Sequence, residues 1–190
     1  MQVIPSVEPR QAQGRTRQLL DAVEKTFGTI PNAVKVMANS PAVLDSFLAL
    51  STAMAGAKIG GKLHHQIKMA ASEANSGEYC NALLTHLGKK SGISLDELLD
   101  GRKASSGDPA ADAALKFARL VLETRGNVGD GEVEALRRAG FGDGEIVEVV
   151  TSVVVGCFTN FLNNVARTTL DIPRAEPLAD CSPDTCCGSS

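Results

Sequence analysis

The sequence lacks three patterns that would assign it to common classes of protein. Its 190 residues carry 19 lysines and arginines against 22 aspartates and glutamates, and the basic residues are scattered. This is not the charge pattern of a nucleic-acid-binding protein. The N-terminal residues contain no continuous apolar segment, so we expect no secretory signal peptide. No segment alternates apolar and polar residues over the length of a strand, so no sheet is expected.

A long apolar run free of polar residues is also missing. The most apolar stretch, Ile146 to Leu162, includes Glu148, Ser152 and Asn160. This composition favours a buried helix over a membrane span, so we expect no membrane partner. We therefore predict a cytoplasmic protein, in which the five cysteines are kept as reduced thiols.

Helical periodicity, interrupted by glycine and by capping residues, runs through residues 1–173. It predicts one all-α domain of about nine helices joined by short loops. The fourth helix is expected over residues 62–76. Gly77 breaks the pattern there, and Glu78 opens a fifth helix that continues through Lys90.

The last two helices are predicted to begin at aspartates that act as N-caps. Asp130 precedes the eighth helix, and Asp143 precedes a ninth helix over residues 144–170. The ninth is the longest helix, and its first half is apolar nearly all round. A helix of this kind is expected at the centre of the domain.

The composition changes after Pro173, where residues 174–190 are predicted to form a flexible tail. Cys181, Cys186 and Cys187 place three thiols close together in this tail. Such thiols suit thiophilic ions, for example Cu(I), Zn(II), Hg(II) or As(III). The spacing is not the paired C-x-x-C of a structural zinc site, and a tail without a specific role explains it equally well.

Cys80 lies near the start of the fifth helix, on the same face as Tyr79 and Leu83, so it is expected to point inwards. It is either an inert core cysteine or a thiol activated by the helix N-terminus, which favours a thiolate. His86 on the same helix is rotated away from the thiol, and Leu84 occupies the i+4 position. His65 would have to approach from the neighbouring helix.

Several stretches in order resemble one known family, the carboxymuconolactone decarboxylase superfamily, in its alkylhydroperoxidase D-like, peroxidase-related branch. The resemblance covers roughly residues 28–173. The stretches that carry it are IPNAVKVMANSP at 30–41, EANSGEYC at 73–80, LGKK at 87–90, FARLVLETRG at 117–126, FTNFLNNVA at 158–166 and LDIP at 170–173. The resemblance implies an all-helical fold that usually assembles as trimers or hexamers.

The active-site pattern of that branch is a glutamate followed by C-x-x-C-x-x-x-H, in which the second cysteine attacks peroxide and the first resolves it. Cys80 matches the second cysteine. Gly77 stands at the first cysteine, Leu84 at the histidine and His65 at the glutamate. The usual dithiol and the local proton relay are therefore missing.

The sequence leaves three functional hypotheses. In the first, Cys80 is the redox-active thiol of a peroxidase-like oxidoreductase without a cofactor, acting on a small-molecule peroxide with a thiol reductant. His65 would then replace the missing base, and Cys181, Cys186 or Cys187 would resolve the oxidised Cys80. In the second, the tail thiols bind a soft metal or metalloid. In the third, the chain is a catalytically silent helical homo-oligomer. A lactone decarboxylase ranks last, because the matching stretches belong to the peroxidase-related branch.

Overall fold

The computed structural model describes residues 1–178, which form nine α-helices, one short 3₁₀ helix (Pro9–Gln11) and no strand. The helices are α1 (Gly14–Phe27), α2 (Asn32–Met37), α3 (Pro41–Ala55), α4 (Gly60–Ala74), α5 (Glu78–Lys90), α6 (Leu95–Arg102), α7 (Pro109–Thr124), α8 (Asp130–Arg138) and α9 (Asp143–Ala166). The prediction of an all-α domain with about nine helices is confirmed.

Helix α4 is the centre of the packing, and it contacts α5, α6, α7 and α9. Ile67 and Ala71 on one face of the helix and Met69 on the opposite face are fully buried. A side chain at Gly156 of α9 would lie 2.7 Å from the Cβ of Ala71. The missing side chain therefore lets α9 approach α4 closely.

The predicted caps of the last two helices are wrong by one residue. Asp130 and Asp143 are the first residues of α8 and α9, and the N-caps are Gly129 and Gly142. In α9 the Glu145 carboxylate accepts a hydrogen bond from the backbone N–H of Gly142 at 2.7 Å. A carboxylate at the third position of the helix thus satisfies the backbone donor of the N-cap residue.

The predicted end of α9 near residue 170 is also wrong. The helix ends at Ala166, because Arg167 adopts a left-handed conformation with φ of 52°. The backbone N–H of Thr168 then bonds to the carbonyl of Asn163 at 3.1 Å, which closes the C-terminus. The predicted start of α4 at residue 62 is two residues late, and its end falls at Ala74 rather than at residue 76.

By length and composition, α9 is apolar enough to cross a membrane. However, one of its faces packs against α4, α5 and α7, as the core helix of a globular fold does. The other face of α9 exposes Val147, Val154 and Val165, so the predicted central position holds for one face only, and α4 is the helix at the centre of the packing. The expected compartment stays a prediction.

Residues 174–178 follow the last helix and lie against the domain. The Arg174 guanidinium pairs with the Glu78 carboxylate at 2.7 Å. The Arg102 Nη1 donates to the backbone carbonyl of Glu176 at 2.5 Å. The chain therefore passes the start of α5 immediately before residue 179. The tail cysteines Cys181, Cys186 and Cys187 lie outside the described residues.

Candidate functional site

Cys80 is the third residue of α5 and is 4% exposed. The start of this helix is anchored by its neighbour Tyr79, whose hydroxyl donates to the Asp171 carboxylate at 2.8 Å. The same hydroxyl accepts from the backbone N–H of Ala33 at 3.1 Å. The thiol therefore lies in the first turn of a fixed helix, where backbone N–H groups favour negative charge.

An oriented amide of α9 faces the sulfur. The Nδ2 of Asn163 lies 3.5 Å from the Cys80 Sγ, within hydrogen-bond distance for sulfur. The hydroxyl of Thr168 donates to the Asn163 Oδ1 at 2.7 Å, and Nδ2 also donates to the Thr159 carbonyl at 2.8 Å. These bonds fix which end of the amide faces Cys80, and that end is a donor.

The charge of a lysine on α4 acts on the same thiol. Lys68 is half-buried, and burial lowers its pKa to about 8, while the Cys80 thiol opposes this shift. No carboxylate within residues 1–178 forms a salt bridge with its ammonium group. Cys80 is therefore the acidic group that interacts with this charge.

Opposing effects set the pKa of Cys80. Burial raises it, and this effect is the largest. Hydrogen bonding by Asn160, Thr159 and Asn163 and the positive charge of Lys68 lower it, without cancelling the effect of burial. The resting thiol is therefore protonated at neutral pH, in surroundings that stabilise the thiolate once it forms.

His65, predicted to act as the base, comes from α4 to the side of α5. Its Nε2 donates to the Leu84 carbonyl at 2.9 Å. Burial lowers the pKa of His65 to about 4, and Lys68 adds to the shift, so the ring is neutral at pH 7. Leu84 is the position where the resembling family has its histidine. The residues at the family's glutamate and histidine positions, His65 and Leu84, are therefore in contact, but the His65 ring bonds to the Leu84 backbone. The catalytic role of His65 stays a prediction.

The other two histidines are used differently. His64 is buried, and its Nδ1 lies 2.8 Å from the Ser152 hydroxyl of α9. Because that hydroxyl donates to the Glu148 carbonyl at 2.7 Å, it accepts from the His64 Nδ1–H. Burial lowers the pKa of His64 to about 4. His86 is exposed.

Gly77 occupies the position of the family's resolving cysteine, and the structure explains why a glycine fits there. A Cβ at this residue would lie 2.9 Å from the Ser72 Oγ and 3.1 Å from the Asn160 Nδ2. The Ser72 hydroxyl donates to the Gly77 carbonyl at 3.1 Å and accepts from the Asn160 Nδ2 at 3.3 Å. Polar side chains of α4 and α9 therefore fill the space that a second cysteine would need.

Sequence reasoning missed Lys68, Asn163 and Thr168, which come from other parts of the chain. Asn163 is 3% exposed and faces Cys80. One signal was available for Lys68, a charged residue between Ile67 and Met69 in an apolar part of a helix. For Thr168 the sequence carried no signal.

An ion pair beside the site was also not predicted. Buried Arg102 pairs with Glu73 at 2.8 Å, and the Glu73 carboxylate accepts from the Asn81 amide at 2.9 Å. Cavities of about 510 and 550 Å³ flank this pair, and Leu178 lines both. Cys80 lines neither cavity, so in this conformation its access is limited to very small molecules.

Within residues 1–178, no group of three or more His, Cys, Asp or Glu side chains is placed to hold a metal ion. The two cysteines described there, Cys80 and Cys157, are free thiols. The predicted soft-metal ligands Cys181, Cys186 and Cys187 lie beyond this part of the chain, and their assignment stays a prediction.

Solved structures with the same fold include an uncharacterized peroxidase-related protein from Silicibacter sp. TM1040, with a TM-score of 0.75 and 19% identity over 87% of this chain and 88% of that chain. The alkylhydroperoxidase AhpD core protein from Ralstonia eutropha JMP134 gives a TM-score of 0.71 and 24% identity over 87% and 90%. The debrominase Bmp8, solved as a cysteine-to-alanine variant with 2,3,4-tribromopyrrole, gives a TM-score of 0.74 and 18% identity over 89% of this chain and 91% of that chain. No family model and no curated protein matches the sequence. The chain thus has the all-helical, alkylhydroperoxidase D-like fold that the resemblance implied.

Proposed function

We propose that the protein is a thiol-dependent oxidoreductase in which Cys80 reduces a small hydroperoxide. One observation carries the proposal: the thiol lies in the first turn of α5, and a donor amide and a cation face it. The Asn163 Nδ2 at 3.5 Å and the charge of Lys68 both stabilise a thiolate. An inert core cysteine needs neither group, and hydrocarbon side chains would pack against it equally well.

The chemistry uses two reactants besides the protein. The Cys80 thiolate attacks one peroxide oxygen, the O–O bond breaks, and an alcohol leaves after taking up a proton. The sulfur becomes a sulfenic acid. A second thiol then attacks this sulfur and releases water, which gives a disulfide. A thiol reductant finally reduces the disulfide by two electrons and returns the Cys80 thiol.

The tail cysteines remain the proposed source of the second thiol. Two contacts support this proposal, the Arg174–Glu78 pair at 2.7 Å and the bond from Arg102 to the Glu176 carbonyl at 2.5 Å. They hold the chain beside the start of α5 just before Cys181, which raises the effective concentration of a tail thiol near Cys80.

The buried position of Cys80 determines the expected pH dependence. Because burial raises its pKa, the reactive thiolate is a minor form at pH 7. Peroxide consumption should therefore increase as the pH rises above 7 and level off above the pKa of the thiol. His65 is neutral over this whole range, because its pKa is about 4.

The test is a peroxide-consumption assay with dithiothreitol as the reductant, on the wild type, Cys80→Ser and Cys157→Ser. We expect Cys80→Ser to fall to the background rate, whereas Cys157→Ser keeps the activity. If the wild type itself consumes hydroperoxide at the background rate, the proposal is wrong.

A full-length variant with serine at Cys181, Cys186 and Cys187 tests the tail in two ways. If the tail resolves Cys80, this variant still forms the sulfenic acid but no internal disulfide. Calorimetry with Zn(II) or As(III) on the same variant tests the metal hypothesis, which predicts binding by the wild type alone.

We also propose that the chain forms a homo-oligomer through α9. Exposed apolar residues follow this helix in steps of three and four, in the order Val147, Val150, Val154, Phe158, Phe161 and Val165. This spacing is typical of a helix that packs against another helix. Every residue of α9 is described, and between residues 147 and 165 its only exposed polar residue is Asn164. The same surface on a second copy would therefore meet no like charge.

Light scattering tests the assembly. Val154→Glu or Phe161→Glu should dissociate it, because each puts a charge into the apolar surface. Leu95→Glu is the matched control, since Leu95 is 38% exposed but lies on α6. A wild-type monomer, or equal effects of all three variants, would contradict the proposal.

A further inference from the structure

Helices α4 and α9 run parallel and meet through side chains spaced four residues apart on each helix. His64 bonds to Ser152 at 2.8 Å, and Ser72 bonds to Asn160 at 3.3 Å. Between these polar pairs, Lys68 is opposite Gly156, and a Cβ on that glycine would lie 3.4 Å from the Lys68 Cα. The glycine offers no side chain to Lys68, so the lysine is the one member of this series without a polar partner among residues 1–178.

A half-buried lysine that forms no salt bridge with the described part of the chain is costly for the fold. Its neighbours Ile67 and Met69 are fully buried, and Lys68 itself is half-buried. Half-buried ammonium groups are normally paired with a carboxylate, because the charged form loses hydration. A residue that costs stability without a structural partner is a candidate for a functional role.

The register of α4 against α5 places Lys68 at the level of the first turn of α5, because Lys68 lies between His65, which bonds to the Leu84 carbonyl at 2.9 Å, and Ser72. Ser72, one turn further along the same face, donates to the carbonyl of Gly77 at 3.1 Å. Gly77 directly precedes α5, and Cys80 lies in the first turn of that helix. The resemblance to the peroxidase-related branch assigns its glutamate to position 65, which is one turn before Lys68.

The groups around Cys80 leave Lys68 as the source of positive charge. From α9 come the neutral amides of Asn160 and Asn163 and the hydroxyl of Thr159. On α5 itself, Tyr79 has a pKa raised mainly by burial, so it is a neutral phenol at physiological pH. The carboxylate beyond it, Asp171, is bonded to the Tyr79 hydroxyl. The imidazoles of His64 and His65 near Lys68 are neutral at pH 7.

We infer that Lys68 is a positioning residue that stabilises Cys80 as the thiolate, in place of the glutamate and histidine of the resembling family. The inference rests on the proposed function, because it assigns Lys68 to the thiol that reacts there. The lysine acts through the sulfur: it keeps its proton, and its charge favours loss of the thiol proton to solvent. Above the pKa of Lys68 the ammonium group loses its charge and no longer stabilises the Cys80 thiolate.

The test measures the thiol itself, without turnover. Wild type, Lys68→Met, Lys68→Arg and Lys89→Met are treated as full chains with iodoacetamide over a range of pH, and mass spectrometry gives the rate at Cys80. In Lys68→Met the rate at pH 7 should fall at least about tenfold, which is the effect of one pKa unit. Lys89→Met is the control, because Lys89 is an exposed lysine of α5.

Lys68→Arg separates an effect of charge from one of packing. Arginine stays protonated throughout, so its support of the thiolate continues above pH 8, where that of the lysine ends. We expect Lys68→Arg to react at Cys80 at least as fast as the wild type. Equal rates in wild type and Lys68→Met would overturn the inference, as would a Lys68→Arg variant as slow as Lys68→Met.

Failure of this inference is distinguishable from failure of the proposed function. An alkylation rate that depends on Lys68, in a protein that consumes no hydroperoxide, rejects the peroxidase proposal alone. Hydroperoxide consumption that requires Cys80 but is unchanged in Lys68→Met rejects the role of Lys68 alone. Circular dichroism shows whether each variant is folded. Lys68→Met is expected to fold, since it removes an unpaired charge.

Discussion

Cys80 and Cys157 are both free thiols that lie near asparagine amides, and the difference between them identifies the site. The Asn163 Nδ2 lies 3.5 Å from the Cys80 sulfur, and the Asn75 Nδ2 lies 3.5 Å from the Cys157 sulfur. However, Cys80 is in the first turn of its helix, whereas Cys157 is in the middle of α9. Cys80 also interacts with the charge of Lys68. An amide near sulfur is thus not diagnostic, but a helix N-terminus together with a cation is.

The largest expected difference between the two cysteines is in oxidation by peroxide. With a dione that traps sulfenic acids, the label should appear at Cys80 at least about ten times faster than at Cys157, because the helix N-terminus, the Asn163 amide and the charge of Lys68 stabilise the negative charge on the Cys80 sulfur as it attacks. Mass spectrometry of the two peptides gives both rates in one sample. Preferential labelling of Cys157, which is the more exposed of the two, would mean that accessibility decides reactivity.

Substitution of Gly156, the glycine that lets α4 and α9 approach each other, is expected to have a smaller effect on the labelling of Cys80 relative to Cys157. In Gly156→Ala the new methyl group would lie 2.7 Å from the Ala71 Cβ, so the helices must separate, at a cost of about 1–3 kcal/mol in unfolding free energy. The shift also moves Asn163 relative to Cys80, so the labelling ratio of Cys80 to Cys157 should fall. Urea denaturation and the trapping assay measure the two effects.

Gly144→Ala provides the control on the same helix. A methyl group there meets no atom within 4 Å, so the variant should be as stable as the wild type or gain up to about 1 kcal/mol from helix propensity. Its labelling ratio should not change. If both glycine variants lose the same stability, the cost is not due to the approach of α4 and α9.

The sequence predicted the part of this site that α5 itself supplies. Gly77 and Glu78 marked the start of α5, and the structure begins the helix at Glu78, which places Cys80 in its first turn. Local signals suffice there, because a break and a helix start involve neighbouring residues. In contrast, Asn163 is 83 positions from Cys80 and reaches it only because α5 and α9 pack together. Crossing geometry between helices is not encoded by the periodicity of either helix alone.

The smallest expected effect is the gain in unfolding free energy when Lys68 is replaced. This gain shows whether Lys68 is charged in the folded protein. Measured in a Cys80→Ser background, Lys68→Met should raise the free energy of unfolding at pH 7 by about 1–2 kcal/mol, a value reduced for solvent screening. The serine background removes the thiol, which would otherwise titrate in the same range.

The pH dependence of this gain tests its cause. Burial lowers the pKa of Lys68 to about 8 in the folded protein, from 10.5 in an unfolded chain. Below pH 8 both states hold the proton, and the folded state bears the full cost of the buried charge. Between pH 8 and 10.5 the unfolded state binds more protons, so proteins with Lys68 gain stability as the pH rises. The advantage of methionine should therefore shrink over this interval. An advantage that is constant with pH would come from packing, and the charge that distinguishes Cys80 from Cys157 would then lack support.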